Sequence, residues 1–115
     1  MDDLTIGAVT TALRGVIARN RVIGDNLANV ETPGYTAKTV SFEDSLRNAS
    51  TGGAPQDTAI AVLPSDSPAN VNGNNVHIDD ETMSLEQNGL QYQLMVEALN
   101  AKFGLLRDAM GKGAS

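Results

Sequence analysis

Asn26–Tyr35 reads NLANVETPGY, and it stands where a long apolar stripe stops. The stripe runs into it through Ile6, Val9, Leu13, Val16, Ile23, Leu27 and Val30, and with Asn20 included the steps alternate between 3 and 4. That is a heptad seam, which predicts a helix over residues 1–32. At about 1.5 Å per residue it is roughly 35–40 Å long. Ile17 and Val22 widen the stripe, while Gly7, Gly15 and Gly24 each weaken an isolated helix by up to about 1 kcal/mol. The helix therefore depends on packing. Asn20 either fixes register from inside the seam or is solvated at its edge. The stop itself is Pro33, which disfavours the α conformation at Thr32, followed by Gly34, which permits positive φ. Tyr35 is then placed to fold back on the helix end. Pro-Gly alone would stop a helix. The motif as a whole, Asn26, Leu27, Ala28, Asn29, Thr32, Pro33, Gly34 and Tyr35, is a candidate for an assembly contact. Leu27 and Val30 continue the seam. Asn26 and Asn29 lie off it, free to hydrogen-bond with a neighbouring subunit or with the chain as it turns.

A second helix is predicted over 79–110, with Asp79 or Asp80 as its cap and Glu81 favourable to its N-terminal dipole. It ends at a Gly111-Lys112-Gly113 tail, residues 111–115. One stripe runs Leu85, Tyr92, Met95, Leu99, Phe103, Leu106 and Met110, and another runs Leu90, Leu94, Ala98, Ala101 and Leu105. A single partner helix covers one stripe, so two stripes imply more than one neighbour. The candidate helix-packing residues are Val9, Leu13, Val16, Asn20 and Ile23 in the first helix, and Leu90, Tyr92, Leu94, Met95, Leu99, Phe103 and Leu106 in the second. Between the helices, residues 33–78 are rich in Gly, Pro, Ser, Asn and Asp and read as an extended, partly irregular loop arm. TVSFEDSL (Thr39–Leu46) reads as one amphipathic turn anchored by Val40, Phe42 and Leu46, and TAIAVLP (Thr58–Pro64) as a short strand. The fold expected is all-α, one domain, with the terminal helices paired as a coiled coil.

Composition narrows the function. The chain has 115 residues, only 3% aromatic and no Trp, which predicts marginal stability for a lone subunit. A net charge of −6 argues against nucleic acid and against anionic membrane surfaces. The absence of Cys excludes disulfides and thiolate metal sites. No run approaches ~18 consecutive apolar residues, and MDDLTIGAV does not read as a cleaved signal peptide. His77 beside Asp79 and Asp80 lacks the further ligands a metal site needs, and the acids fit helix capping better. No nucleophile elbow or phosphate loop is present. No enzyme, cofactor or metal is expected. Met83, Met95 and Met110 read as packing.

NLANVETPGY resembles the signature of the bacterial flagellar axial proteins, the rod and hook components. The C-terminal GNNVHIDDETMSLEQNGLQYQLMVEALNAKFGLLRDAM is similar to the last segment of proximal-rod members of that family, through Asn74, Asn75, Val76, Asp79, Asp80, Asn88, Leu90, Tyr92 and Gln93. VSFEDSL resembles the family's short Phe-containing segment. The chain departs from the pattern at Thr36, where a basic residue is common, at His77, where an acid is usual, and at Gly89, where a longer side chain is common.

The resemblance implies a structural subunit of the proximal rod of the flagellar basal body, in the cell envelope and exported without a cleaved signal. It implies as partners itself, other rod proteins, ring-junction components and the flagellar type III export apparatus, with no nucleic acid and no small-molecule substrate. The alternatives are another axial rod protein, a non-flagellar secreted helical hairpin, or a coiled-coil adaptor. A WxG-type hairpin needs a Trp that is absent, and an adaptor leaves the Pro-Gly-Tyr turn without a purpose.

Overall fold

The computed structural model describes residues 3–114, with side chains from Thr5 to Gly111. Helix α1 spans Asp3–Ala28, strand β1 Lys38–Ser41, helix α2 Glu43–Thr51, a 3-10 turn Pro55–Asp57, strand β2 Ala61–Pro64 and helix α3 Ile78–Ala114. The molecule is long and thin, 68 × 26 × 14 Å. Its radius of gyration of 18.2 Å exceeds the roughly 13 Å of a compact chain this size. The fold is mostly helical, but β1 and β2 form a small antiparallel sheet, so it is not all-α.

Helices α1 and α3 run antiparallel. The C-terminal end of α1 touches the start of α3 through Asn26 and Glu81. Further along, the Asn88 amide donates to the Val16 carbonyl at 2.8 Å, and Met95 packs beside Ala12 and Val16. The buried line on α1 is Ala12, Val16, Ile23 and Asn26. It shares Val16 and Ile23 with the sequence seam but is rotated from it. Val9 and Leu13 are half-buried and Asn20 is exposed. The rotation arises because α1 packs on two neighbours, and the second is the segment between the helices.

That segment is no loose arm. The β-branched Thr39, Val40 and Val62 suit two short strands, paired Lys38↔Pro64, Thr39↔Leu63, Val40↔Val62 and Ser41↔Ala61. The other edge of β1 is closed by α1. Asn26 satisfies the Lys38 N–H and carbonyl, and Arg19 donates to the Val40 carbonyl at 2.7 Å. Phe42, 3% exposed, then enters the core with Ala12, Val16 and Val40. Gly15 lies directly under its ring, for a Cβ there would sit 2.5 Å from Phe42 Cδ1. The Arg19 guanidinium stands 4.9 Å from the ring centroid and pairs with Glu43 at 2.6 Å. TVSFEDSL is thus a strand followed by a helix rather than one turn, with Val40, Phe42 and Leu46 as its anchors. TAIAVLP contains a strand, as read.

Three boundaries differ from expectation. Helix α1 ends at Ala28, well before Pro33, because the carbonyls beyond it are taken by tight turns and by a distant side chain. Residues 1–2 of the expected helix lie outside the described range. Asp79 and Asp80 sit in the first turn of α3 rather than capping it. The helix also continues through Gly111 and Gly113 to Ala114, since glycine lowers helix propensity without forbidding helical angles. Ser115, the end of the expected tail, lies outside the described range.

Two glycines of α1 give opposite predictions. Gly15→Ala drives a methyl into the Phe42 ring and lowers unfolding free energy by about 1–3 kcal/mol in urea titration. Gly24 has nothing within 4 Å, so Gly24→Ala raises the stability of the isolated subunit by about 0.5–1 kcal/mol. The Arg19 hydrogen bond holds the Glu43 carboxyl below its usual range. A lowered folded pKa contributes stability above the unfolded value and loses it as pH falls through the folded one. The deficit of Glu43→Gln relative to the parent, read from melting temperatures, therefore shrinks below about pH 4.

Candidate functional site

A helix end exposes carbonyls with no partner in the helix, and if they are buried something must donate to them. The same holds for the turn that follows Ala28, and there the donor is Asn74, from 42 to 45 residues further along the chain. Its amide nitrogen lies 2.7 Å from the Asn29 carbonyl, 3.2 Å from that of Val30 and 2.8 Å from that of Thr32. Its Oδ1 accepts the Val76 N–H at 2.6 Å, and the side chain is 0% exposed. Every polar atom of this buried amide is used, which is what makes its burial tolerable.

Asn26, one turn earlier, is a second buried amide, and it serves β1 and α3. It is 1% exposed. Its Nδ2 donates to the Lys38 carbonyl at 2.8 Å and to Glu81 Oε1 at 3.0 Å, and its Oδ1 accepts the Lys38 N–H at 3.0 Å. One side chain thus ties α1 to β1 and to the first turn of α3. Burial, chiefly, raises the Glu81 carboxyl above its usual range, with Asp80 adding to the rise against the pull of the Asn26 amide.

The turn between them is built from two glycine corners. Gly34 has φ +72 and Gly73 φ +81, and a Cβ on Gly73 would lie 3.6 Å from Gly34 Cα. The Gly34 N–H donates to the Asn72 carbonyl at 3.0 Å, and the Asn75 N–H to the Tyr35 carbonyl at 3.2 Å. Asn75 Oδ1 accepts the Ala37 N–H at 2.6 Å, while its Nδ2 reaches the Ser65 and Ser67 carbonyls at 3.2 and 3.3 Å. Asn29 stays local, donating to the Asp25 carbonyl and accepting from the Thr32 hydroxyl. Tyr35 is half-buried, with the Lys38 ammonium 5.2 Å from its ring centroid.

NLANVETPGY and the later NVNGNNV (Asn70–Val76) are therefore two halves of one lock. Asn26 and Asn29 hydrogen-bond within their own chain. Ala28, Thr32, Pro33 and Gly34 remain exposed and Leu27 half-buried. Asn70, Asn72, Asn74, Asn75, Lys38 and Glu81 were not singled out as site residues. The available signal was the density of Asn in a Gly-containing loop just ahead of a helix.

Of the expected helix-packing residues on α3, Met95 and Leu99 are half-buried, while Leu90, Tyr92, Leu94, Phe103 and Leu106 are exposed. Asn88 is 2% exposed and its Oδ1 has no partner. Beside it a groove of about 240 Å³ opens between α1 and α3, lined by Val16, Ile17, Asn20, Asn88, Gly89 and Tyr92. His77 Nε2 lies 2.8 Å from the Pro68 carbonyl. Among the described residues no group of three His, Asp or Glu is placed to hold a metal ion, and no helix is long and apolar enough to cross a membrane.

No family model matches the chain. It is, however, 34% identical to the flagellar basal body rod protein FlgB of Bacillus subtilis over 122 aligned positions, covering 95% of each chain. It is 29% identical to FlgB of Aeromonas hydrophila over 96% of each. Against FlgB of Escherichia coli K12 it is 26% identical, over 83% of this chain and 84% of the relative. The name these relatives share is that of a structural rod component, and the first identity runs the length of the lock as well as both helices. The chain belongs to the FlgB family of flagellar basal body rod proteins.

Proposed function

We propose that this protein is a structural subunit of the proximal rod of the bacterial flagellar basal body, built into the drive shaft through its terminal helices. The observation that carries the reading is the imbalance of its apolar surface. Seven apolar side chains are buried among the described residues, while fourteen large ones are exposed, nine of them on α3 from Met83 to Met110. A monomer with this ratio is incomplete, and extended apolar surface marks an interaction site. Copies of the same chain and other rod proteins cover the stripes, α1 and α3 packing with their neighbours as coiled coils.

In this reading the lock has an assembly role without donating its own amides outward. It fixes where the chain leaves α1, and so presents Thr32, Pro33 and Gly34 at a set place on the subunit surface. Ring-junction components and the flagellar type III export apparatus are the further partners. The location is the basal body in the cell envelope. The thin core suits passage in an unfolded state, with folding completed as neighbours cover the stripes.

Deleting the gene abolishes swimming and yields no completed basal bodies in membrane extracts; intact filaments in the deletion strain would contradict the reading. Leu94→Lys with Leu105→Lys changes two side chains that are 56% and 64% exposed. Subunit stability stays within about 0.5 kcal/mol by thermal melt, while swimming halos in soft agar collapse. Asn74→Ala is the reverse case. It strands buried carbonyls and lowers unfolding free energy by about 3 kcal/mol in urea titration.

A further inference from the structure

The chain contains two Asn–Gly pairs, Asn72–Gly73 and Asn88–Gly89. Such a pair is chemically special because glycine has no Cβ to obstruct its own backbone nitrogen from reaching the preceding side-chain amide. The structure treats the two pairs oppositely. Asn88 lies inside α3, 2% exposed, with its amide bonded to the Val16 carbonyl. Reaction there requires α3 to unwind and part from α1. Asn72 is exposed, in a five-residue turn closed by the Gly73 N–H to the Asn70 carbonyl at 2.9 Å and the Asn70 N–H to the Asn74 carbonyl at 2.7 Å. Val71, at the tip of that turn, is wholly solvent-exposed. Opening so small an exposed unit costs far less than separating packed helices.

We propose that Asn72 is a site of spontaneous self-modification that releases the lock over time. The Gly73 nitrogen, deprotonated by hydroxide, attacks Asn72 Cγ. The new C–N bond closes a five-membered succinimide as the Cγ–Nδ2 bond breaks and ammonia leaves. Water then adds to either ring carbonyl, giving aspartate or isoaspartate at position 72. The net change is water gained and ammonia lost, with no oxidant or reductant. In the isoaspartate product the main chain runs through Cγ, one methylene longer, and the former main-chain carbonyl becomes a branch carboxylate. That carbonyl is the acceptor for the Gly34 N–H, and Asn72 Oδ1 is the acceptor for the Asn74 N–H at 3.1 Å. Both bonds pass through the atoms that rearrange, and they lie where the two glycine corners abut.

The test incubates the whole folded chain at mildly alkaline pH, cleaves it at glutamates and weighs the pieces. Glu81 and Glu86 separate Asn72 from Asn88, and an isoaspartyl methyltransferase identifies the rearranged product. The piece holding Asn72 converts at least about tenfold faster than the piece holding Asn88 while the protein is folded. In denaturant the two convert at similar rates. Equal rates in the folded protein, or an Asn72 that is stable when folded and labile when denatured, would overturn the site. Asn72→Gln, shown to be folded by circular dichroism, removes the conversion. Hydrogen exchange at the Gly34 amide then rises with age in the parent and not in Asn72→Gln. An aged, converted parent with unchanged Gly34 exchange would overturn the release.

Discussion

The fold depends on how the carbonyls of the turn just past α1 are satisfied away from water. A helix that stops beneath other chain leaves acceptors that cost free energy unless something donates to them. Here the Asn74 side chain donates to the Asn29, Val30 and Thr32 carbonyls, while Asn26 satisfies the Lys38 N–H and carbonyl alongside, and both are almost fully buried. Each has a full set of partners, and the amide nitrogen of each reaches a distant part of the chain, so each fixes a tertiary relation that apolar contacts leave free. Asn26 sets β1 and the start of α3 against α1. Asn74 sets the loop before α3 beneath the turn after α1. Hydrophobic burial drives collapse without direction, and the amides give it a register.

The small platform between the helices completes the arrangement. A two-stranded sheet is marginal alone, and this one survives because α1 covers the free edge of β1 and accepts Phe42 over Gly15. The same glycine that weakens α1 as an isolated helix makes room for the largest side chain in the core. Most of the large apolar side chains on α3 face outward, Met95, Val96 and Leu99 being half-buried. A subunit held in shape by amides and one aromatic, with its long stripes bare, is suited to be finished by neighbours.

Both long helices were legible in the sequence because a period of 3.6 is sustained over many residues, and α3 was placed within a residue of its start. The sheet was not, because each strand is four residues long and buries at most one side chain, too few for alternation to show. The buried face of α1 was displaced from the heptad seam since one of its neighbours is that unseen sheet. Asn26 and Asn29 stood out as more than a helix stop, and the alternative that they bond to the turning chain is the one the structure displays. Their partners were hidden, since a side chain such as Asn74 acts across more than 40 residues and carries no local period. Asn74 and Asn75 carry no signal of their own in the sequence beyond the family resemblance.

Backbone hydrogen exchange on the isolated subunit tests the central claim most directly. The Ala37, Lys38 and Val76 N–H groups each donate to an asparagine side chain of the lock rather than to regular secondary structure. If the lock closes in the free subunit, these three exchange slowly and lose protection together as denaturant rises. Exchange at Ala37, Lys38 and Val76 as fast as in an unstructured peptide, with α1 and α3 still protected, would contradict it.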